Sequence, residues 1–282
     1  MLSYRHGFHA GNPADVLKHA VFLFVVRHLQ KKDGPLLVLD THAGAGVYDL
    51  TAPEAEKTGE YRDGILKVLA RTEGVPALLA DYLARVRAAN PAGRLINYPG
   101  SPALAMAVKR HQDRLALYEL HPADHAQLAA LAGRRRGITV HREDGFTGLR
   151  AQLPPAGARG VALIDPSYEI KTDYEKAIKA LAKAWRRFAS GVYILWYPVI
   201  ERARVDTMMA AIKEAGITKV YRLELGLAPD APGFGMTGSG LIVVNAPFTL
   251  PAAAEAALPW LAAALDAKGP RLAEWLVAEA PH

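Results

Sequence analysis

The chain has 282 residues, of which 51% are hydrophobic and 22% charged, and it carries a formal net charge of +6. That balance excludes an intrinsically disordered chain, and the lack of cysteine excludes disulfides, zinc–thiolate sites and thiol nucleophiles. The modest basic excess points to a polyanionic partner, and the length suits one large domain or one domain carrying an insertion.

Near the start, Pro13 followed closely by Asp15 predicts a helix beginning at about that proline. His6, His9, His19 and His28 crowd the same region and raise a metal-site reading. Their spacing matches no zinc signature, and Lys18 beside His19 repels a cation, so we read a metal-free helix with His19 turned toward a bound cofactor. The apolar run at 20–26 is too short for a membrane span and is followed by Arg27 and His28 rather than a cleavage site. No membrane partner is expected, and a chain without cysteine fits a cytoplasmic setting.

Apolar runs bounded by turn residues at 36–40, 115–119, 138–141, 161–165, 192–197, 220–227 and 241–245 predict seven strands. Amphipathic helices fill most gaps, for example at 174–188 and 202–215, which implies an α/β fold with a mainly parallel sheet covered on both faces. The last two strands are joined by the Gly-rich stretch 228–240, so they are expected to be antiparallel neighbours at one edge. Between the first two strands lie far more residues than one crossover needs. We therefore expect a small helical subdomain at 47–97, with helices near 61–70 and 76–89, and a crossover helix resuming at Ser101. Residues 251–282 are expected to form peripheral helices. No heptad seam marks a dimer helix, so a monomer is the default. Lys31-Lys32, Arg134-Arg135-Arg136 and Arg186-Arg187 are basic clusters that can track phosphates, although solvated charge on a helix face explains them equally well.

The first predicted strand ends in Asp40-Thr41-His42-Ala43-Gly44-Ala45-Gly46. Gly44 and Gly46 allow a tight turn and close approach of a ligand, while the missing third glycine of the dinucleotide fingerprint shifts the reading away from NAD. Glu119 ends the second strand, where a carboxylate can accept hydrogen bonds from both ribose hydroxyls. After the third strand come Asp144, which can accept from an adenine amine, then Gly145 and Phe146, which can support the ring. In that order these features describe an adenosyl pocket. The fourth strand ends in Asp165-Pro166-Ser167-Tyr168. An amine attacking a sulfonium methyl needs acceptors for both its hydrogens, so that its lone pair leaves the ring and points at the methyl carbon. The Asp165 carboxylate and the Pro166 carbonyl can supply them. Tyr168 can stack on an extruded purine, replacing roughly 1–3 kcal/mol of lost base stacking.

Longer segments surround these residues: Leu2-Ser3-Tyr4-Arg5-His6-Gly7-Phe8-His9-Ala10-Gly11-Asn12, Asp15-Val16-Leu17-Lys18-His19, Thr58-Gly59-Glu60-Tyr61, Tyr98-Pro99-Gly100-Ser101-Pro102, Glu119-Leu120-His121-Pro122, Leu195-Trp196-Tyr197-Pro198 and Gly235-Met236-Thr237. Together with the glycine turn they resemble the RlmJ-type 23S ribosomal RNA adenine-N6 methyltransferases, which are class I, Rossmann-like enzymes; the likeness runs from residue 1 to about 248. The resemblance implies a Rossmann-like methyltransferase domain over 1–46 and 98–250 with the last strand antiparallel, an S-adenosylmethionine donor and a 23S rRNA substrate. It further implies that His19, His42, Ser101, Glu119, Asp144 and Gly145 hold the donor, that Asp165 is catalytic, and that Tyr4, His6 and Lys18 approach the RNA or the transfer site. The family's usual Asp-Pro-Pro-Tyr is Asp-Pro-Ser-Tyr here, with Ser167 replacing the second proline. Two other readings remain beside it. A DNA adenine-N6 methyltransferase uses the same acceptors, but such enzymes carry a sizeable recognition region and only 47–97 is available here. A non-catalytic rRNA assembly factor would not need Asp165, Pro166 and Tyr168 intact.

Overall fold

The computed structural model describes residues 5–170, 172–231, 233 and 235–278. Helix α1 (Pro13–Leu29) starts where the sequence places it: Asn12 caps it by accepting the Asp15 amide at 2.9 Å, and Pro13 forms the first turn. Strand β1 (Leu36–Asp40) leads into the insertion, made of β2 (Val47–Asp49), α2 (Pro53–Thr58), α3 (Lys67–Ala70), α4 (Ala77–Ala88) and β3 (Asn97–Pro99). β2 and β3 pair antiparallel, so the insertion leaves and rejoins through a two-stranded ribbon. Its helices do not stand apart, because Leu79, Tyr82 and Leu83 of α4 are buried in the same core as α1. Covered by α4 and α5 on one side and the sheet on the other, α1 is apolar on nearly every face.

The rest of the chain alternates: α5 (Ser101–Val108), β4 (Arg114–Tyr118), α6 (Pro122–Ala132), β5 (Ile138–His141), α7 (Gly145–Gln152), β6 (Arg159–Ile164), α8 (Asp173–Arg187), β7 (Val192–Val199), α9 (Arg202–Glu214) and β8 (Val220–Gly226). Then come β9 (Gly238–Val244), α10 (Leu250–Ala264) and β10 (Arg271–Val277). The main sheet has the order β10-β8-β9-β7-β6-β1-β4-β5. Strands β5, β4, β1, β6 and β7 are parallel, and β9 runs antiparallel between β7 and β8. Side chains alternate between two cores. Val38, Val161 and Leu163 face α1, α5 and α10, whereas Leu37, Leu39, Ala162 and Ile164 face α7, α8 and α9. Burial on both faces makes these strands continuous apolar runs, which is why they were readable.

All seven expected strands are present, and three further features differ from expectation. The sheet has eight strands, and the ribbon of β2 and β3 is separate from it; with three residues each, those strands are too short to show a period. The segment after 250 is one helix followed by a strand, not helices alone. β10 does not alternate cleanly and carries an irregularity between Trp275 and Val277, so only its main-chain pairing with β8 defines it. Finally, β8 and β9 are antiparallel neighbours as expected, but β10 holds the edge.

Candidate active site

The chain passes from β1 outward to β4 and β5, then returns to the other side of β1 as β6, so the crossovers reverse direction between β1 and β6. Open parallel sheets bind ligands at the carboxyl ends of the strands beside such a reversal. A cleft of about 500 Å³ lies there, lined by the segments that follow β1, β4, β5 and β6 and by α1.

One side is built from backbone that tolerates no Cβ. Gly44 and Gly46 have φ of +61° and +87°, and a Cβ on Gly44 would lie 2.1 Å from the Tyr48 hydroxyl. At the start of α7, a Cβ on Gly145 would lie 1.8 Å from the Thr41 carbonyl, so that helix can meet the end of β1 only through glycine. Glu119 accepts the Gly44 amide at 2.8 Å and the His121 amide at 2.7 Å. Burial raises its pKa, and each oxygen keeps a further lone pair for a hydroxyl. Asp144 caps α7 by accepting the Phe146 amide at 2.7 Å, and the Phe146 ring meets His42 edge-on at 5.1 Å. Burial lowers the His42 pKa against the pull of Asp165, Asp144 and Asp173. Beneath this surface Ser101 donates to Asp40 at 2.6 Å, and burial pushes Asp40 up to about 7.

The other side is an acceptor corner. Asp165 follows β6, and its Oδ2 accepts from Lys18 Nζ at 2.6 Å. Lys18 is 3% exposed and also pairs with Asp15 at 2.8 Å. Burial opposes its charge, but Asp15 and Asp165 outweigh it and raise the pKa. Asp15 in turn bonds His6 Nε2 at 2.8 Å and the Gly11 amide at 2.9 Å. His19 stands one step along α1 and bonds the Tyr98 hydroxyl at 2.8 Å, which meets Tyr82 at 3.0 Å. Burial lowers the His19 pKa to about 3, so the imidazole is neutral.

The cleft thus brings together His6, Lys18, His19, His42, Gly44, Ser101, Glu119, Asp144, Gly145, Asp165 and Pro166. Gly46 sits behind this surface; its backbone carbonyl accepts the Gly100 amide at 2.9 Å. Tyr4 lies outside the described residues. Tyr168 departs from expectation, since its ring is 8% exposed, packs against Tyr174 and Trp196, and donates its hydroxyl hydrogen to the Trp196 carbonyl at 2.5 Å. The four N-terminal histidines disperse: His6 to Asp15, His9 to Glu60, His19 to Tyr98 and His28 to Thr249. Asp15, Asp40 and Tyr48 were missed as site residues. The signal for Asp15 was available, because Asp15, Lys18 and His19 are spaced three and four apart on one helix face.

A family model described as ribosomal RNA large subunit methyltransferase D, RlmJ, matches residues 33–277. The Escherichia coli protein named ribosomal RNA large subunit methyltransferase J is 45% identical over 281 residues, covering 99% of this chain and 100% of the relative. Its Haemophilus influenzae counterpart of the same name is 40% identical over 282 residues, covering 99% and 100%. The crystal structure of a Legionella pneumophila protein superposes with a TM-score of 0.88 at 37% identity, covering 95% of this chain and 98% of that one. Likeness of this extent, nearly end to end on both sides of each comparison, means that the chain belongs to the RlmJ family of ribosomal RNA large subunit methyltransferases.

Proposed function

We propose that this protein transfers a methyl group from S-adenosylmethionine to the N6 amine of an adenine in 23S ribosomal RNA. The observation that carries the reading is the Asp165–Pro166 corner, opening onto the same cleft as Glu119 and Asp144, with its carboxylate held by Lys18 at 2.6 Å. Family membership supports ribosomal RNA as the substrate. The glycine cradle, Glu119 for the ribose and Asp144 for the adenine fit the donor, whose sulfonium is an activated methyl carrier. His19, His42, Ser101 and Gly145 complete that wall.

The chain's own task is to position and orient. Lys18 occupies one oxygen of Asp165, which leaves the other to accept one amine hydrogen while the Pro166 carbonyl accepts the second. That pairing turns the nitrogen lone pair out of the ring, and a positioned nucleophile needs neither a covalent intermediate nor a metal. For Tyr168 to stack on the incoming purine, its ring must leave Trp196 and Tyr174. The hydrogen bond broken is worth about 1 kcal/mol and the stacking gained about 1–3 kcal/mol, so the exchange is balanced or favourable.

The test has two parts. The protein is incubated with tritiated donor and unmodified ribosomal RNA, transfer RNA or duplex DNA, followed by nucleoside analysis. N6-methyladenosine from ribosomal RNA alone is expected, and label in duplex DNA instead would overturn the substrate. Asp165→Asn is expected to keep donor affinity but slow transfer at least about a hundredfold. Unchanged turnover would remove Asp165 from the chemistry.

A further inference from the structure

The fold separates the three basic clusters of the sequence. Lys31 and Lys32 precede β1, and Arg134, Arg135 and Arg136 precede β5, so both lie toward the amino ends of the parallel strands, opposite the cleft. Arg186 and Arg187 end α8, whose first turn follows closely on the acceptor corner. Helix α8 therefore leads away from the cleft. Along it Lys176, Lys179, Lys183 and Arg187 recur at spacings of three and four, which places them on one face.

A groove of about 600 Å³ runs between that face and α7, with Arg150 on the α7 side and Leu149, Ala180 and Ala184 in its lining. It is continuous with the catalytic cleft, because Phe146 and Lys176 line both. Among the described residues, the exposed cations Arg150, Lys183, Arg186 and Arg187 make no ion pair. Lys176 pairs with Asp173 at 3.4 Å and Lys179 with Glu175 at 3.2 Å, but these pairs are solvent-exposed and contribute little. The groove thus carries a run of uncompensated positive charge over an apolar floor, pointing at the place where the target base must enter.

We propose that the α7–α8 groove holds the RNA strand flanking the target nucleotide, with phosphates on the α8 cations and ribose or base faces against the apolar floor. The proposal rests on the reading of the protein as a ribosomal RNA methyltransferase and adds where the strand lies. From Lys176 to Arg187 the helix rises about 16 Å, enough for several consecutive phosphates. Positive charge along a track leading to a reactive pocket binds backbone irrespective of sequence, so it sets affinity and register while the corner at Asp165 selects the base.

The test is the triple variant Lys183→Ala, Arg186→Ala, Arg187→Ala, with Lys183→Arg, Arg186→Lys, Arg187→Lys as the charge-preserving control. Binding to a 23S rRNA fragment is measured across a salt series, beside steady-state methyl transfer and donor affinity. The alanine variant is expected to bind RNA at least about tenfold more weakly, with a salt slope shallower by about 0.7 for each single-strand phosphate that is no longer neutralised. KM for RNA rises in parallel, kcat and donor affinity stay within about twofold, and the charge-preserving control binds as the wild type does. RNA affinity and salt slope unchanged in the alanine variant, or no RNA binding by the intact protein, would overturn the proposal. Unchanged binding with methylation intact sinks the groove and leaves the enzymatic reading. Weakened binding with no methylation by any of the proteins sinks the reading and leaves the groove; an acidic protein as the true occupant would leave RNA affinity untouched.

Discussion

Lys18 stays charged at a position that disfavours charge, because it stands between the carboxylates of Asp15 and Asp165. Two neighbours in the same wall titrate in opposite senses. Burial, opposed by Ser101 and aided by Asp165, moves Asp40 from 3.8 to about 7, so the folded chain holds a proton that the unfolded chain has released. Protonation of Asp40 therefore stabilises the fold as pH falls through that window. Burial moves His19 from 6.5 to about 3, so the unfolded chain takes up its proton first and stability falls as pH falls between those values. The slopes oppose each other between about pH 4 and 6.5, each near 1.4 kcal/mol per pH unit. Relative to the wild type, Asp40→Asn is expected to lose denaturant stability on acidification from pH 6.5 to 4, and His19→Gln to gain it; parallel curves for all three proteins would refute the assignment. Ser167 concerns the loop rather than the chemistry, since the carboxylate, the first proline carbonyl and the aromatic residue all remain. Ser167→Pro is expected to raise the transfer rate by at most about tenfold, equivalent to about 1.4 kcal/mol, and single-turnover kinetics check it.

At the scale of elements, the last strand decides how the sheet ends. β10 covers β8, and the turn before it is tight enough that a Cβ on Gly226 would lie 2.5 Å from Pro270. Gly226 donates its amide hydrogen to the Pro270 carbonyl at 2.7 Å and accepts the Gly269 amide at 3.1 Å, which aligns the pairing. Removing the chain after Lys268 bares the main-chain donors and acceptors of β8. The truncated protein is expected to unfold at lower denaturant and to self-associate, read by unfolding midpoints and by light scattering. A monomer of unchanged stability would show that β10 is dispensable. The elements readable in advance were those whose periodicity meets a face: the parallel strands between two cores, and α8 with its apolar stripe. α2, β2, β3 and β10 were not, being short or held by main-chain pairing that leaves no side-chain pattern.

At the scale of the whole molecule, the cleft is a seam. Its walls come from α1, from the ends of β1, β4 and β6, and from the start of α7, so a ligand seated there binds the folded chain and not the unfolded one. S-adenosylmethionine at a hundred times its Kd is expected to stabilise the fold by about 2.7 kcal/mol, visible as a rise in Tm. Glu119→Ala should abolish most of that rise, and a full rise in the variant would detach Glu119 from the donor. The sequence by itself determined the α/β class, the alternation of strands and helices, and the identity of most cleft residues, because burial periodicity and turn chemistry are local properties of neighbouring residues. Tertiary structure alone decided that Lys18 closes on Asp165 across 147 positions, that Tyr168 turns into the core, that β10 takes the edge, and that only the α8 cluster reaches the cleft. Those outcomes depend on which distant surfaces meet, and the packing of sheet against helices settles that only once the whole chain has folded.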